Sequence, residues 1–335
     1  MRIFVTGATG YIGRALCRRL ATDGHAVQAL VRSPDKAAPL RDAGVATFVG
    51  DVTERVSLRE GMAGADWVIH AAAQLDLGVP SAEMARVNVE GSENVASLAY
   101  KLGVGALLSI SSVAAWGGSP DDGSPADESS PVRRPFPTPY SATKYDGQRA
   151  IEEWGKRGLR LRTVYPGLVY GPPGKKEGAN SFLRQLLLGR FPALVGADRR
   201  SSWVFLDDVV EAILRVMSVG QDGRGYLLAG EVVTVRDLAR RVAELSGTPA
   251  PRREMPVGLA HALLSLGTPW YRLRGRRPPI PPAQLASLRR HWAFDDRRAR
   301  TELEWHPRPL AVGLPPTLEY IRQQERDHGG RVVRG

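Results

Sequence analysis

The sequence predicts an α/β protein, a doubly wound parallel sheet followed by a smaller, mostly helical C-terminal lobe. Three observations predict it. Short runs rich in Val and Ile alternate with helix-length segments of 3.6-residue periodicity as far as Ser111. A glycine-rich turn, Thr6-Gly7-Ala8-Thr9-Gly10-Tyr11-Ile12-Gly13, stands between the first apolar run and the first helical segment. Beyond Gly167 the alternation weakens, and helical segments are joined by links rich in Pro and Gly. Strands separated by helices of this length pair in parallel through right-handed crossovers, and such sheets bind ligands at the carboxyl ends of their strands.

Taken in order, Ile3–Thr6 reads as a strand ending at the glycine turn and Tyr11–Ala21 as the amphipathic helix after it. Ala26–Val31 and Ala46–Val49 are further strands around a short helix near Lys36–Ala43. Ser57–Met62 is helix, Trp67–His70 strand, Met84–Leu102 a long helix and Ala106–Ser111 the fifth strand. The stretch from Gly117 to Pro139 breaks the pattern with Pro, Gly and the acidic residues Asp121, Asp122, Asp127 and Glu128, and its length and place read as a lid over the site. Helices follow at Ser181–Leu188, Asp207–Met217 and Val235–Leu245. The expected organisation is a dinucleotide-binding Rossmann domain over residues 1–170, which also receives 204–230. Residues 171–203 and 231–325 form a substrate-binding lobe, and 326–335 a disordered tail.

With 335 residues, 43% hydrophobic and 24% charged, the chain has an ordinary globular composition. Its single cysteine, Cys17, excludes an internal disulfide, and six histidines without HxxxH spacing argue against a zinc site, so no metal is expected. No charged segment leads into a long apolar one at the N-terminus, and a cytoplasmic protein is expected. The net charge of +11 is concentrated from Arg252 to the end, where 16 Arg face 8 acidic residues. No aromatic-interleaved basic stripe accompanies that charge, and nucleic acid is not an expected partner. Pro256–Leu266, followed by Trp270, Tyr271 and four arginines to Arg277, reads in two ways: a helix packed on the lobe, or a peripheral membrane contact across 256–277. It is too short and interrupted to span a bilayer.

In the glycine turn, Gly7, Gly10 and Gly13 fall where a tight turn, close approach of a pyrophosphate and helix packing are needed, with Thr9, Tyr11 and Ile12 in the same segment. At the end of the second strand, the acid that would take the ribose 2′-hydroxyl of NAD is replaced by Arg32, followed by Ser33 and, farther on, Lys36. A guanidinium there pairs with a 2′-phosphate, so NADP is preferred over NAD; the alternative is a solvated Arg and a site open to either cofactor.

Tyr140 and Lys144 stand four residues apart at the start of a helix, hence on one face. Nine Tyr and six Lys would give about 0.16 such pairs by chance. A neighbouring ammonium favours the phenolate and makes the phenol a usable proton shuttle. Ser111 and Ser112 end the fifth strand, where a hydroxyl can polarise a substrate carbonyl.

These features, together with Gly50-Asp51-Val52, His70-Ala71-Ala72-Ala73, Asn88-Val89-Glu90-Gly91, Pro166 to Pro172 and Phe205-Leu206-Asp207-Asp208-Val209, resemble in order and spacing the extended short-chain dehydrogenase/reductase family, over roughly residues 1–325. The resemblance implies Tyr140 as acid/base, Lys144 on the nicotinamide ribose and Ser112 on the reacting oxygen. It implies that Asp51 and Val52 border the adenine, that Ala71, Ala72 and Ala73 border the pyrophosphate and ribose, and that Pro166, Gly167, Leu168 and Val169 border the nicotinamide, with Ser111 also among the cofactor-binding residues. Asn88 either supports a helix bend near the site or caps locally.

Within that family, sugar-nucleotide enzymes usually carry an Arg six residues before the first Asp of the Val-Asp-Asp-like motif. Here that position is Ser201, with Arg199 and Arg200 upstream. Dehydratases need an acidic pair beside the catalytic hydroxyl, where this chain has Val113, Ala114 and Ala115. Arg32 resembles the reductase branch, with dihydroflavonol reductase and 3β-hydroxysteroid dehydrogenase. The expected protein is a homodimeric, NADP-dependent oxidoreductase acting on a small-molecule ketone, aldehyde or secondary alcohol. One alternative is a sugar-nucleotide epimerase with tightly bound NAD(P), for which Arg199, Arg200 and Asn180 are the diphosphate candidates. Another is a non-catalytic dinucleotide-binding regulator.

Overall fold

A computed structural model describes residues 1–174, 176–264 and 282–332. Its strands are β1 (Arg2–Thr6), β2 (Ala26–Val31), β3 (Ala46–Val49), β4 (Trp67–His70), β5 (Ala106–Ile110), β6 (Leu161–Pro166), β7 (Leu168–Tyr170), β8 (Leu194–Val195), β9 (Arg200–Phe205), β10 (Gly225–Leu228), β11 (Glu231–Thr234) and β12 (Glu254–Met255). Seven pair in parallel in the order β10-β6-β5-β4-β1-β2-β3. Sequence order reverses at β1, between β2 and β4, and a crevice at such a switch point is where doubly wound sheets bind ligands.

The helices named below are α1 (Tyr11–Thr22), α2 (Ala38–Arg41), α3 (Arg55–Met62), α4 (Ser81–Ala85), α5 (Gly91–Lys101), α6 (Pro139–Lys156), α7 (Asn180–Leu187), α8 (Leu206–Val219) and α9 (Val235–Ser246). Alternation along each strand divides the core. Ile3, Val5, Ile69 and Leu108 pack with Leu16 and Leu20 of α1 and Val209 and Ile213 of α8. Their neighbours Phe4, Val68 and Leu107 turn to the other face, onto Leu58 and Met62 of α3, Val95 of α5 and Ile151 of α6. Apolar demand on both faces explains the near-continuous hydrophobic strands.

The lobe has its own core, in which Leu183 and Leu187 of α7, Trp203, Leu238 and Val242 of α9 pack against Leu314 and Leu318 of a C-terminal helix, Leu310–Val332. It also holds strands among its helices. β9 pairs in parallel with β7 and antiparallel with β11, while β8 pairs with β12. Strand β9 hides two serines, both satisfied: Ser201 Oγ accepts from Trp203 Nε1 at 2.8 Å, and Ser202 Oγ accepts from the Phe294 N–H at 2.9 Å.

Three expectations are modified. The long helix expected at Met84–Leu102 starts at Ser81 and is broken by an i→i+5 turn at Arg86–Glu90. The stretch from Gly117 to Pro139, expected as a lid, is tied to the body. Ser119 N–H donates to His291 O and Ala126 N–H to Ala293 O, Glu128 accepts from Leu227 N–H, and Gly123 O accepts from Arg200. The C-terminal helix runs into the segment 326–335, where a disordered tail was expected, as far as Val332; residues 333–335 lie outside the described residues. Of the 256–277 segment, residues 257–264 are helical, with Val257 and Ala260 buried and Leu259 and Leu263 exposed, and 265–277 lie outside the described residues. Among the described residues, no helix is long and apolar enough to cross a membrane.

Candidate active site

The glycine turn is built by exclusion of side chains. Gly7 sits at φ +68°, and a Cβ there would meet Ala71 C and Ala72 N, each at 2.5 Å. A Cβ on Gly13 would lie 2.2 Å from Gly7 O, so helix α1 can rest on the turn only with glycine there. Gly10 caps α1 without a side chain, and the first N–H groups of the helix are left for an anion. Ser111 Oγ, two strands away at the end of β5, is buried with no hydrogen-bond partner. The cradle, the uncapped helix and this orphan hydroxyl fit a dinucleotide. The Tyr11 hydroxyl is engaged elsewhere, donating to Gly171 O and accepting from Asn180 Nδ2. Thr9 and Ile12 are half-buried beside it, as are Ala71, Ala72 and Ala73 after β4.

Arg32 follows β2 and is exposed, with no hydrogen-bond or ion-pair partner among the described residues. Ser33 is extended and its hydroxyl caps nothing; Lys36 is exposed in the short turn Pro34–Ala37. Asp51 uses Oδ1 to accept from Thr53 N–H and Oγ1, both at 2.9 Å, and Val52 is buried against Gly91.

At the other end of the crevice, Thr138 caps α6 by accepting from Ser141 N–H at 3.0 Å, with Pro139 as the first helical residue, and so fixes Tyr140 in the first turn. One turn on, Lys144 Nζ donates to Ile110 O at 3.1 Å, at the end of β5. Burial lowers the Lys144 pKa to about 8. Burial raises that of Tyr140, opposed by a hydrogen bond from Ser112. Ser112 caps the turn Val113–Trp116, where its Oγ accepts from Ala114 N–H at 3.1 Å. Ser112, Tyr140 and Lys144 therefore converge on the end of β5. Gly167 lies against Ser202 O, where a Cβ would come within 2.7 Å; Pro166 and Val169 beside it are buried, and Leu168 is 42% exposed. A groove of about 800 Å³, lined by Ser81, Ala85, Phe136, Ala142 and Thr143 among others, opens on a different face of α6 from Tyr140 and Lys144.

A model of the NAD-dependent epimerase/dehydratase family matches residues 3–229. The chain belongs to this family. A ketoreductase of Stigmatella aurantiaca, acting on 4-hydroxy-2-methyl-3-oxo-4-farnesyl-3,4-dihydroquinoline-1-oxide, is 32% identical over 96% of both chains. A UDP-glucose 4-epimerase of Mycolicibacterium smegmatis is 28% identical over 97% of this chain and 100% of that one. The crystal structure of gox2253 superposes with a TM-score of 0.83 at 28% identity, covering 97% of this chain and 98% of that one. The protein is thus an NAD(P)-dependent oxidoreductase of the extended short-chain dehydrogenase/reductase type.

Family membership makes the state of the diphosphate candidates informative. Asn180 is fully buried: its Oδ1 accepts from Gly171 N–H, and its Nδ2 faces Gly171 O, Gly174 O and Tyr11 Oη at 2.7–3.1 Å. It holds a loop and has no donor left over. Arg199 Nη1 lies 2.9 Å from His291 Nε2, and Arg200 donates to Gly123 O. Asn88 lies within the i→i+5 turn, and its side chain bonds Gln74 and Thr143 instead of capping its own segment. Its carbonyl presses on α6, where a Cβ on Gly147 would come within 2.0 Å. Thr6, Ser92 and Thr143, which the motifs did not single out, connect these parts; no spacing rule marks buried hydroxyls. Among the described residues, no group of three His, Cys, Asp or Glu could hold a metal ion.

Proposed function

We propose that this chain is an NADPH-dependent reductase of a ketone or aldehyde, running in reverse as a dehydrogenase of a secondary alcohol, through Ser112, Tyr140 and Lys144. The observation that carries the reading is Lys144. Its ammonium lies against one backbone oxygen, with no carboxylate partner among the described residues, and a charge so placed costs stability, as charged groups at functional sites commonly do. A positive charge one helical turn from a phenol lowers the cost of the phenolate. The bound nicotinamide supplies or takes up the hydride. Tyr140, kept protonated by burial, gives its proton to the carbonyl oxygen in the reductive direction, and the Ser112 hydroxyl holds the same oxygen. Arg32, free at the end of β2, favours the 2′-phosphate of NADP.

Relatives named as a ketoreductase, a 2-alkyl-3-oxoalkanoate reductase of Stenotrophomonas maltophilia and a putative dihydroflavonol 4-reductase of Synechocystis support carbonyl reduction. The epimerase relative keeps sugar-nucleotide turnover as a second reading, which the engaged Asn180 amide disfavours. A panel of ketones, aldehydes and alcohols, with UDP- and TDP-sugars included and NADPH absorbance as readout, tests it. Oxidation of NADPH by at least one carbonyl class is expected. Turnover of sugar nucleotides alone would overturn the reading.

A further inference from the structure

Strand β4 runs Trp67, Val68, Ile69, His70, all buried, and ends in an imidazole that is 3% exposed. A buried ring of this kind is tolerated when both nitrogens are bonded. His70 Nδ1 lies 2.8 Å from Thr6 Oγ1, and Nε2 lies 3.1 Å from Ser92 Oγ. The partners fix the direction of every proton. Ser92 Oγ is 2.7 Å from Asn88 O, which only accepts, so the Ser92 hydroxyl donates there and must accept from His70. Nε2 therefore carries the hydrogen, and Nδ1 accepts from Thr6, whose oxygen accepts in turn from Ala72 N–H at 3.4 Å. Burial, helped by the charge of Lys144, holds the His70 pKa down near 3, so the ring stays neutral.

Beyond Asn88 the connection continues. Its side chain accepts from Gln74 N–H at 2.7 Å and donates to Gln74 O and to Thr143 Oγ1, each at 3.0 Å. Thr143 Oγ1 donates to Tyr140 O at 3.2 Å. Resting on the reading of Tyr140 as the acid/base, we propose that His70 is a positioning residue: it links Ala72 and Thr6, beside the glycine turn, through Ser92 to the backbone oxygen of Asn88, whose side-chain amide starts a second run of hydrogen bonds through Thr143 to the backbone of Tyr140. These hydrogen bonds set the catalytic helix against the dinucleotide cradle, two parts that no covalent segment joins directly.

Cutting the first run on either side of His70 should lower kcat without a matching loss of binding. Thr6→Val and Ser92→Ala each remove one hydroxyl; each should reduce kcat about tenfold, the effect of one buried hydrogen bond, with KM and NADPH affinity within about twofold. Because both cut one run, the double variant should be little worse than the poorer single variant, not the product of the two. Thr6→Ser, which keeps the hydroxyl, should restore kcat relative to Thr6→Val. Nitrogen-15 NMR of the histidine-labelled protein should show His70 as the Nε2–H tautomer, unchanged between pH 5 and 9. Parental kcat in both single variants alongside an inactive Tyr140→Phe, multiplicative losses, or an Nδ1–H tautomer would each overturn the proposal. Parental turnover in Tyr140→Phe would overturn the site reading and the proposal with it.

Discussion

A phenol and an ammonium one turn apart can be separated by their losses. Tyr140→Phe keeps the ring and its packing but removes the proton; turnover should fall by about 10² or more with NADPH affinity unchanged, as steady-state kinetics and fluorescence titration would show. Lys144→Met has a second signature. The folded-state pKa of about 8 lies below the ordinary 10.5, so the fold disfavours the ammonium. That penalty, at most about 3 kcal/mol, is fully present below pH 8 and fades as pH rises from 8 towards 10.5, where both states lose the proton. Lys144→Met should therefore melt higher than the parent at pH 7 without cofactor, by a margin that closes near pH 10.5, while its turnover collapses. An equal or lower melting point at pH 7 would show that the burial cost is not there.

Among the elements, those legible in the sequence were the ones whose pattern is local. The turn between β1 and α1 could be read because Gly7 needs a positive φ and Gly13 has no room for a Cβ. The seven-stranded sheet was legible up to β5 because both faces are buried. Strand β9 was not, because Ser201 and Ser202 are buried polar residues whose partners lie at Trp203 and Phe294. At Arg86–Glu90 the sequence marked Asn88 but left a bend and a local cap both open, because the partners that decide between them, Gln74 and Thr143, lie far along the chain. The candidate catalytic trio and Arg32 stood out as motifs, but Thr6, Ser92 and Thr143 did not. With Arg32 at the end of β2, NADPH should bind more tightly than NADH, and Arg32→Asp should invert the order. Cofactor titration into both proteins checks it, and equal affinities in the parent would count against Arg32.

Across the whole molecule, the Asp207-Asp208 motif does structural work that its sequence position did not disclose. Asp208, on α8 in the sheet's own core layer, accepts from the Arg308 backbone N–H at 2.8 Å and from its guanidinium at 2.9 Å, and the Asp208 carbonyl accepts from Trp305 Nε1 at 2.8 Å. The link anchors the segment that leads into the C-terminal helix. Asp208→Ala should cost about 1 to 2 kcal/mol, since it leaves the Arg308 backbone N–H without its acceptor while the guanidinium keeps water, Asp207 and the Phe205 ring, and urea denaturation would read it as a lower midpoint at an unchanged slope. Carbonyl reduction and sugar-nucleotide epimerisation differ in the balance of cofactor against product. The decisive measurement is stoichiometry: NADPH oxidised against product formed, at completion, on the substrate that the panel reveals. One mole of alcohol per mole of NADPH, lost in Tyr140→Phe, is the expected result; conversion of a sugar nucleotide with no net NADPH oxidation would contradict the account.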